Sequence, residues 1–208
     1  MPIVGPFPPL SPAARRSSLE QTLARRPGRS PVSVFAYGSL LWRPSFVPNA
    51  AVPVSLDGHA RRFSMWTVSA RGTPEQPGLG LALEAVSGGT CGGRLLELRE
   101  RNMAADLARL WEREMWTGVY RPVWVTVHLG DEPIDAIAFV VDPAHPQYAG
   151  ELDLDTQARY IAAACGEFGS CHDYLTSTVR ALEQLGLHDP HLSELLTRVS
   201  EYVKAPKQ

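Results

Sequence analysis

Apolar and polar positions along the chain change their rhythm several times, and each change marks an element. Val34 to Leu41 is an almost continuous apolar run broken at Tyr37-Gly38-Ser39, which predicts a buried strand opening into a tight loop. After an irregular stretch to Asp57-Gly58, which reads as a turn, the β-branched and aromatic run His59 to Val68 predicts a second strand. Arg71 to Gly78 holds two prolines and two glycines, which forbid helix and central strand and leave a rigid loop. Strands are expected at Leu79–Ala85 and Cys91–Leu98, separated by a Gly88-Gly89 turn, with Gly92 and Gly93 marking a bulge or a close backbone approach. Two more are expected at Trp124–Leu129 and Ala136–Val141, joined through Gly130 to Pro133. Helical periodicity appears at Asn102–Trp116 and then takes over at Thr156–Cys165, His172–Leu185 and Leu192–Tyr202. Strands gathered in the first two thirds, with helices behind them, predict an α+β fold rather than alternating βαβ units. Short strands with turn glycines curl into a barrel or a strongly bent sheet.

Composition narrows this picture without redirecting it. At 208 residues the chain can bury roughly 70% of its unfolded surface without a disulfide or metal. Hydrophobic residues make up 44% and charged ones 20%, with net charge −2, so no overall basic bias points to nucleic acid or an anionic membrane. Cys91, Cys165 and Cys171 are odd in number and irregularly spaced, unlike a secreted disulfide framework, and a cytoplasmic location is expected. No run approaches a membrane span and the proline-rich start lacks a signal peptide's apolar core. Residues 1–31, rich in Pro and Arg, are expected to form a partly flexible arm. Within it, Ser11-Pro12 is positioned to cap a short helix that ends at Pro27-Gly28. Residues 32–204 are expected to form a single domain.

One charged residue breaks the pattern. Stepping about 100° per residue from Met103 brings Leu107, Leu110 and Glu114 onto one face, flanked by Ala104, Trp111 and Met115, while Arg109, Glu112 and Arg113 point elsewhere. A carboxylate on an apolar face is costly unless hydrogen-bonded or neutralised by a raised pKa, and such carboxylates gather at functional sites. The alternative is a structural contact at the helix rim, with Glu114 paired to Arg113, Arg121 or a tyrosine hydroxyl. The glycine in Tyr37-Gly38-Ser39 relieves the barrier to positive φ and admits a ligand close to the main chain. Neighbouring N–H groups there can converge on an anion.

Other chemistries fit less well. Cys171 and His172 are adjacent, so on a helix their side chains diverge and do not pair as nucleophile and base. With Cys165 they also lack the spacing and the fourth partner of a metal site. Ser39 lacks a G-x-S-x-G elbow.

Five stretches occur in register: Phe35-Ala-Tyr-Gly-Ser-Leu-Leu-Trp42, Arg71-Gly-Thr-Pro-Glu-Gln-Pro-Gly78, Arg113-Glu-Met-Trp-Thr-Gly-Val-Tyr120, Asp142-Pro-Ala-His-Pro-Gln-Tyr148 and Asp173-Tyr-Leu175. In this combination and order the chain resembles the ChaC-type gamma-glutamylcyclotransferases over about residues 33–200. The resemblance implies a mixed fold on a small closed β-barrel with flanking helices. It implies Tyr37, Gly38, Ser39 and Leu40 as a cradle for a γ-glutamyl group and Glu114 as the catalytic carboxylate. Arg71, Tyr120, Tyr148 and Tyr174 are further candidates for substrate contact, with a packing role the alternative for each of the three tyrosines. It implies cytosolic breakdown of glutathione to 5-oxoproline and cysteinylglycine with no cofactor and no metal. The partner is then a small molecule, not nucleic acid or membrane. Arg43, where the family commonly has Asn, and Ser170-Cys171-His172, where an Asn is often found, bear on substrate preference. Other γ-glutamyl amino acids or amines, or a non-catalytic γ-glutamyl-binding module, are the alternatives.

Cyclisation suits these residues. The substrate's own α-amine attacks its γ-carbonyl, so the protein has to select the folded conformer and move protons. A carboxylate with a pKa near neutrality serves as base and then as acid.

Overall fold

The computed structural model of the protein describes residues 4–204. Five strands form a closed mixed barrel in the order β1-β3-β2-β4-β5: β1 is Ser33–Ala36, β2 Ala51–Thr67, β3 Gly78–Glu97, β4 Tyr120–Leu129 and β5 Glu132–Val141. β1 runs antiparallel to β3, pairing Val34 with Leu96, and parallel to β5, pairing Val34 with Ile137. β4 and β5 form a hairpin from Tyr120↔Val141 to Leu129↔Glu132. Alternate residues of these strands meet in one core, among them Phe35, Tyr37, Val54, Leu56, Leu83, Leu95, Val127, Ala136 and Ala138. This period of two puts every second side chain inside the barrel.

The helices are α1 Pro12–Ala24, α2 Met103–Glu114, α3 Leu154–Ala163, α4 Cys171–Gln184 and α5 Pro190–Lys204. The α+β barrel expected from the sequence is the observed architecture. In α1 the hydroxyl of Ser11 accepts from the amide of Ala14 at 3.1 Å, and a proline opens the helix, the pairing anticipated from Ser11-Pro12. No helix among the described residues is long and apolar enough to cross a membrane.

The strands differ from expectation in one instructive way. Asp57-Gly58 and Gly88-Gly89 do not reverse the chain: β2 runs unbroken for 17 residues and β3 for 20. Gly58 (φ +70°) and Gly88 (φ +72°) adopt the left-handed conformation inside the strands, so the glycines bend a continuous ladder rather than end it. The hydroxyl of Thr90 donates to Asp57 at 2.9 Å beside both bends. A two-residue hairpin, β6 Cys165–Gly166 with β7 Gly169–Ser170, replaces the expected last turn of the helix at Cys165.

The chain divides into two compact units. One comprises Pro8–Arg61 and Leu83–His145, and the other Met1–Phe7, Arg62–Ala82 and Pro146–Gln208. The first contains the barrel core, α1 and α2. The second contains α3, α4 and α5 with the loop of residues 68–77, where the amide of Arg71 donates to the hydroxyl of Thr67 at 3.1 Å and that of Thr73 to Gln76 O at 3.0 Å.

Candidate active site

In the first unit, β1 delivers the chain into a short 3₁₀ turn, Ser39–Leu41. Gly38 has φ −126°, so it does not use the left-handed freedom expected of it. The turn is closed instead by the amide of Leu41 bonding to Gly38 O at 2.9 Å and that of Arg43 to Ser39 O at 2.8 Å. Because the turn's own bonds begin at Leu41, the amides of Ser39 and Leu40 in its first turn have no acceptor within it. The side chains of this stretch are committed elsewhere. Tyr37 is buried and its hydroxyl donates to Phe139 O at 2.8 Å; Leu40 is buried as well. What the stretch presents is therefore main chain, together with the Ser39 hydroxyl.

Helix α2 supplies the acid group. Leu107, Leu110 and Trp111 are buried, followed by Met115, as the periodicity requires. Ala104 is exposed and Asp106 buried, with Asp106 bonded to Arg109, so the apolar stripe is narrower at its start than the wheel suggests. Glu114 ends the helix with 14% of its side chain exposed. Its Oε1 is out of solvent and has no hydrogen-bond donor, although Arg113 Nε lies 3.1 Å away as an ion pair. Burial pushes the Glu114 carboxyl above the usual carboxylate range, and the Arg113 charge pulls it part of the way back. Of the rim partners open to Glu114, Arg113 is paired with it, while Arg121 bonds Asp142 at 2.9 Å.

Arg113 is the residue the wheel leaves out. It donates through Nη2 to Ser39 Oγ at 2.7 Å and through Nη1 to Arg43 O at 2.5 Å. One guanidinium thus touches both the turn and the carboxylate. Its side chain leaves the helix well off the apolar face, and only its length lets it reach the turn. The one sequence signal was its adjacency to Glu114. Arg61, buried in β2, donates to Tyr37 O at 2.7 Å. In the planar trans peptide that follows, this directs the Gly38 N–H away from Arg61.

After Glu114 the chain turns at Gly118, whose φ of +78° favours glycine and whose missing Cβ would sit 3.0 Å from a Leu10 methyl. α1 and the residues before it brace this end of α2. Leu10 N donates to Trp116 O at 2.7 Å, Trp111 Nε1 donates to Ser18 Oγ at 3.2 Å, and Arg15 stacks on Trp116 at 5.4 Å. Tyr120 is buried, its ring edge-on to Phe139 at 6.3 Å.

The remaining candidates lie in the second unit. Arg71 donates to Ser170 O at 3.2 Å and stands 5.6 Å over the ring of Tyr174, which itself packs edge-on to Phe63. Tyr148 is half-buried and bridges to Met65. Arg71 and Tyr174 are thus brought together, and Tyr148 belongs to a separate backbone contact. Cys171 is buried at the start of α4, its thiol donating to Leu79 O at 3.0 Å, and burial pushes it up to about 12. Cys165 is exposed. Among the described residues no cluster of three or more His, Cys, Asp or Glu is arranged to hold a metal ion.

Comparison with known proteins bears on this arrangement. The glutathione-specific gamma-glutamylcyclotransferase of Escherichia coli K12 is 39% identical over 188 residues, which is 90% of this chain and 80% of that protein. Gamma-glutamylcyclotransferase 2-3 of Arabidopsis thaliana is 31% identical over 173 residues, 80% of this chain and 87% of that protein. In fold, the crystal structure of a yeast gamma-glutamyl cyclotransferase specific to glutathione matches with a TM-score of 0.77 at 21% identity, over 85% of this chain and 98% of that one. The family model described as ChaC-like protein matches residues 32–202, and the chain belongs to the ChaC-like family.

Proposed function

We propose that the chain is a gamma-glutamylcyclotransferase that degrades glutathione to 5-oxoproline and cysteinylglycine, with Glu114 as its general base and acid. The observation that carries this reading is the Glu114 carboxylate: nearly out of water, without a hydrogen-bond donor on Oε1, and joined to the Ser39 turn through Arg113. Its raised proton affinity suits it to take a proton from a substrate ammonium near neutral pH.

Glu114 accepts a proton from the α-ammonium of the γ-glutamyl group, and the freed amine attacks the γ-carbonyl carbon. The new C–N bond closes a five-membered ring. The tetrahedral oxyanion is met by main-chain N–H groups of the Gly38–Leu40 stretch, a type of contact whose loss costs about 3 to 4 kcal/mol in transition-state stabilisation. The bond to the cysteinyl nitrogen then breaks as that nitrogen takes the proton back from Glu114, and the regenerated carboxylate passes it the surplus proton of the ring nitrogen as well, so the product amine leaves as an ammonium, Glu114 ends ionised and no water is consumed. Ser39 is no nucleophile in this scheme, since its hydroxyl accepts from Arg113 and the attacking group belongs to the substrate. Arg71, Tyr120, Tyr148 and Tyr174 are assigned as substrate contacts on the motif resemblance, and the cytoplasm, where glutathione is abundant, as the location.

Incubating the purified protein with glutathione, γ-glutamylalanine and ε-(γ-glutamyl)lysine and measuring 5-oxoproline tests the reading. Release from glutathione above the other two is expected. Binding of glutathione by calorimetry with no 5-oxoproline from any of the three would replace the enzyme with a γ-glutamyl-binding module.

A further inference from the structure

Arg113 makes three polar contacts with one planar group. Nη1 and Nη2 grip the two ends of a single turn, at Arg43 O and Ser39 Oγ, across which the amide of Arg43 bonds Ser39 O at 2.8 Å. The third nitrogen, Nε, faces Glu114 Oε1 at 3.1 Å. A guanidinium holds its five N–H groups in a fixed fork, so groups bonded to different edges of it are fixed relative to one another. Ser39 and Arg113 are 74 positions apart in sequence, and nothing local to either would align the turn with the carboxylate. Arg113 keeps 30% of its side chain exposed, so it is not there to fill the core.

We propose that Arg113 is a positioning residue for cyclotransfer: its guanidinium holds the Ser39–Arg43 turn and the Glu114 carboxylate in one arrangement, so that the substrate's amine meets its base while its γ-carbonyl oxygen meets the turn. The inference rests on the functional reading above. Arg113 forms no bond with substrate and exchanges no proton. Its contribution is alignment, which enters the transition state more than the ground state. A misplacement of about 1 Å at a reacting group costs on the order of 10²-fold in rate. Lysine does not replace it, because a single ammonium on a flexible stem cannot hold the Arg43 and Ser39 oxygens and face the Glu114 carboxylate in one fixed plane.

The test is steady-state release of 5-oxoproline from glutathione by wild type, Arg113→Ala, Arg113→Lys, Ser39→Ala and the Arg113→Ala/Ser39→Ala double variant. Folding of each is checked by circular dichroism and thermal unfolding. In Arg113→Ala, kcat is expected to fall by roughly 10²-fold with KM moving far less, and Arg113→Lys to lie between it and wild type. Free guanidinium at a non-denaturing concentration should restore part of the Arg113→Ala rate, where sodium chloride at equal ionic strength does not. The double variant should lose less than the product of the two single losses, because both break the same contact. A wild-type kcat in Arg113→Ala, or losses that simply multiply, overturns the proposal. An alanine variant that fails to fold passes the decision to the lysine variant, whose kcat must then fall below wild type with KM moving far less; a wild-type kcat in folded Arg113→Lys overturns the proposal. No 5-oxoproline from the wild type would instead remove the functional reading, and this proposal with it.

Discussion

The last turn of α2 and the first turn of α4 each hold one ionisable group away from water, and burial raises the proton affinity of both. Their fates differ because of what else each group touches. The Cys171 thiol donates its single proton to Leu79 O and has no exposed surface. It sits at a helix N-terminus, a place that ordinarily favours thiolate, yet desolvation outweighs this and holds it up to about 12. Glu114 has an oxygen with no donor, a residual opening to solvent, and a neighbouring cation that limits its rise. The comparison teaches that burial alone makes an inert group. The acid–base role proposed for Glu114 also needs an unspent lone pair and a counter-charge that keeps its ionised form accessible.

The sharpest way to break this contrast is Glu114→Gln. Release of 5-oxoproline should fall by at least 10² to 10⁴-fold, the usual worth of a positioned acid–base group, while circular dichroism reports an unchanged fold. A folded glutamine variant with wild-type turnover would leave Glu114 no different in kind from Cys171.

The next effect is on pH. Because the Glu114 pKa is raised, its base form is lost as pH falls through a value above the ordinary carboxylate one. The acid limb of kcat/KM should therefore sit above that ordinary value. In Arg113→Gln, where the cation is gone, the limb should move to higher pH still, with lower overall rate. Stability runs the other way: a raised native-state pKa contributes stability fully present below the unfolded-state value and lost as pH rises through the native one. Wild type should thus lose stability relative to Glu114→Gln over the same pH window in which it gains activity, as thermal melts at several pH values would reveal.

Smaller effects probe the α4 side. Ser170 caps this helix by accepting from Asp173 N at 3.0 Å, so Ser170→Ala should cost about 1 kcal/mol, read from a denaturant midpoint. Iodoacetamide should have the least consequence for activity. It should modify the exposed Cys165 and spare the buried Cys171 and Cys91, leaving 5-oxoproline release unchanged. Loss of activity on modification of Cys171 would reverse the assignment of the two ends.

Much of the fold is legible in sequence because it is set by short-range preferences. The apolar runs that form β4 and β5, the 3.6-residue period that buries Leu107, Leu110 and Trp111, and the Ser11-Pro12 start of α1 all follow from neighbours a few positions away. The long continuous strands were not legible, because the same glycine chemistry permits both a chain reversal and a bend within a ladder. Which occurs at Gly58 and Gly88 depends on the pairing partners across the sheet.

The site divides in the same way. The sequence by itself determined that an acid group on α2 would face apolar neighbours and that a glycine-containing stretch after β1 would leave main chain available. Only the tertiary structure decided that Tyr37 turns its hydroxyl to Phe139, that Gly38 keeps a negative φ, and that Arg113 spans from Glu114 to Ser39 and Arg43. Periodicity records the direction in which a side chain leaves its backbone. What a long, flexible side chain reaches depends on which distant segment the fold brings alongside it.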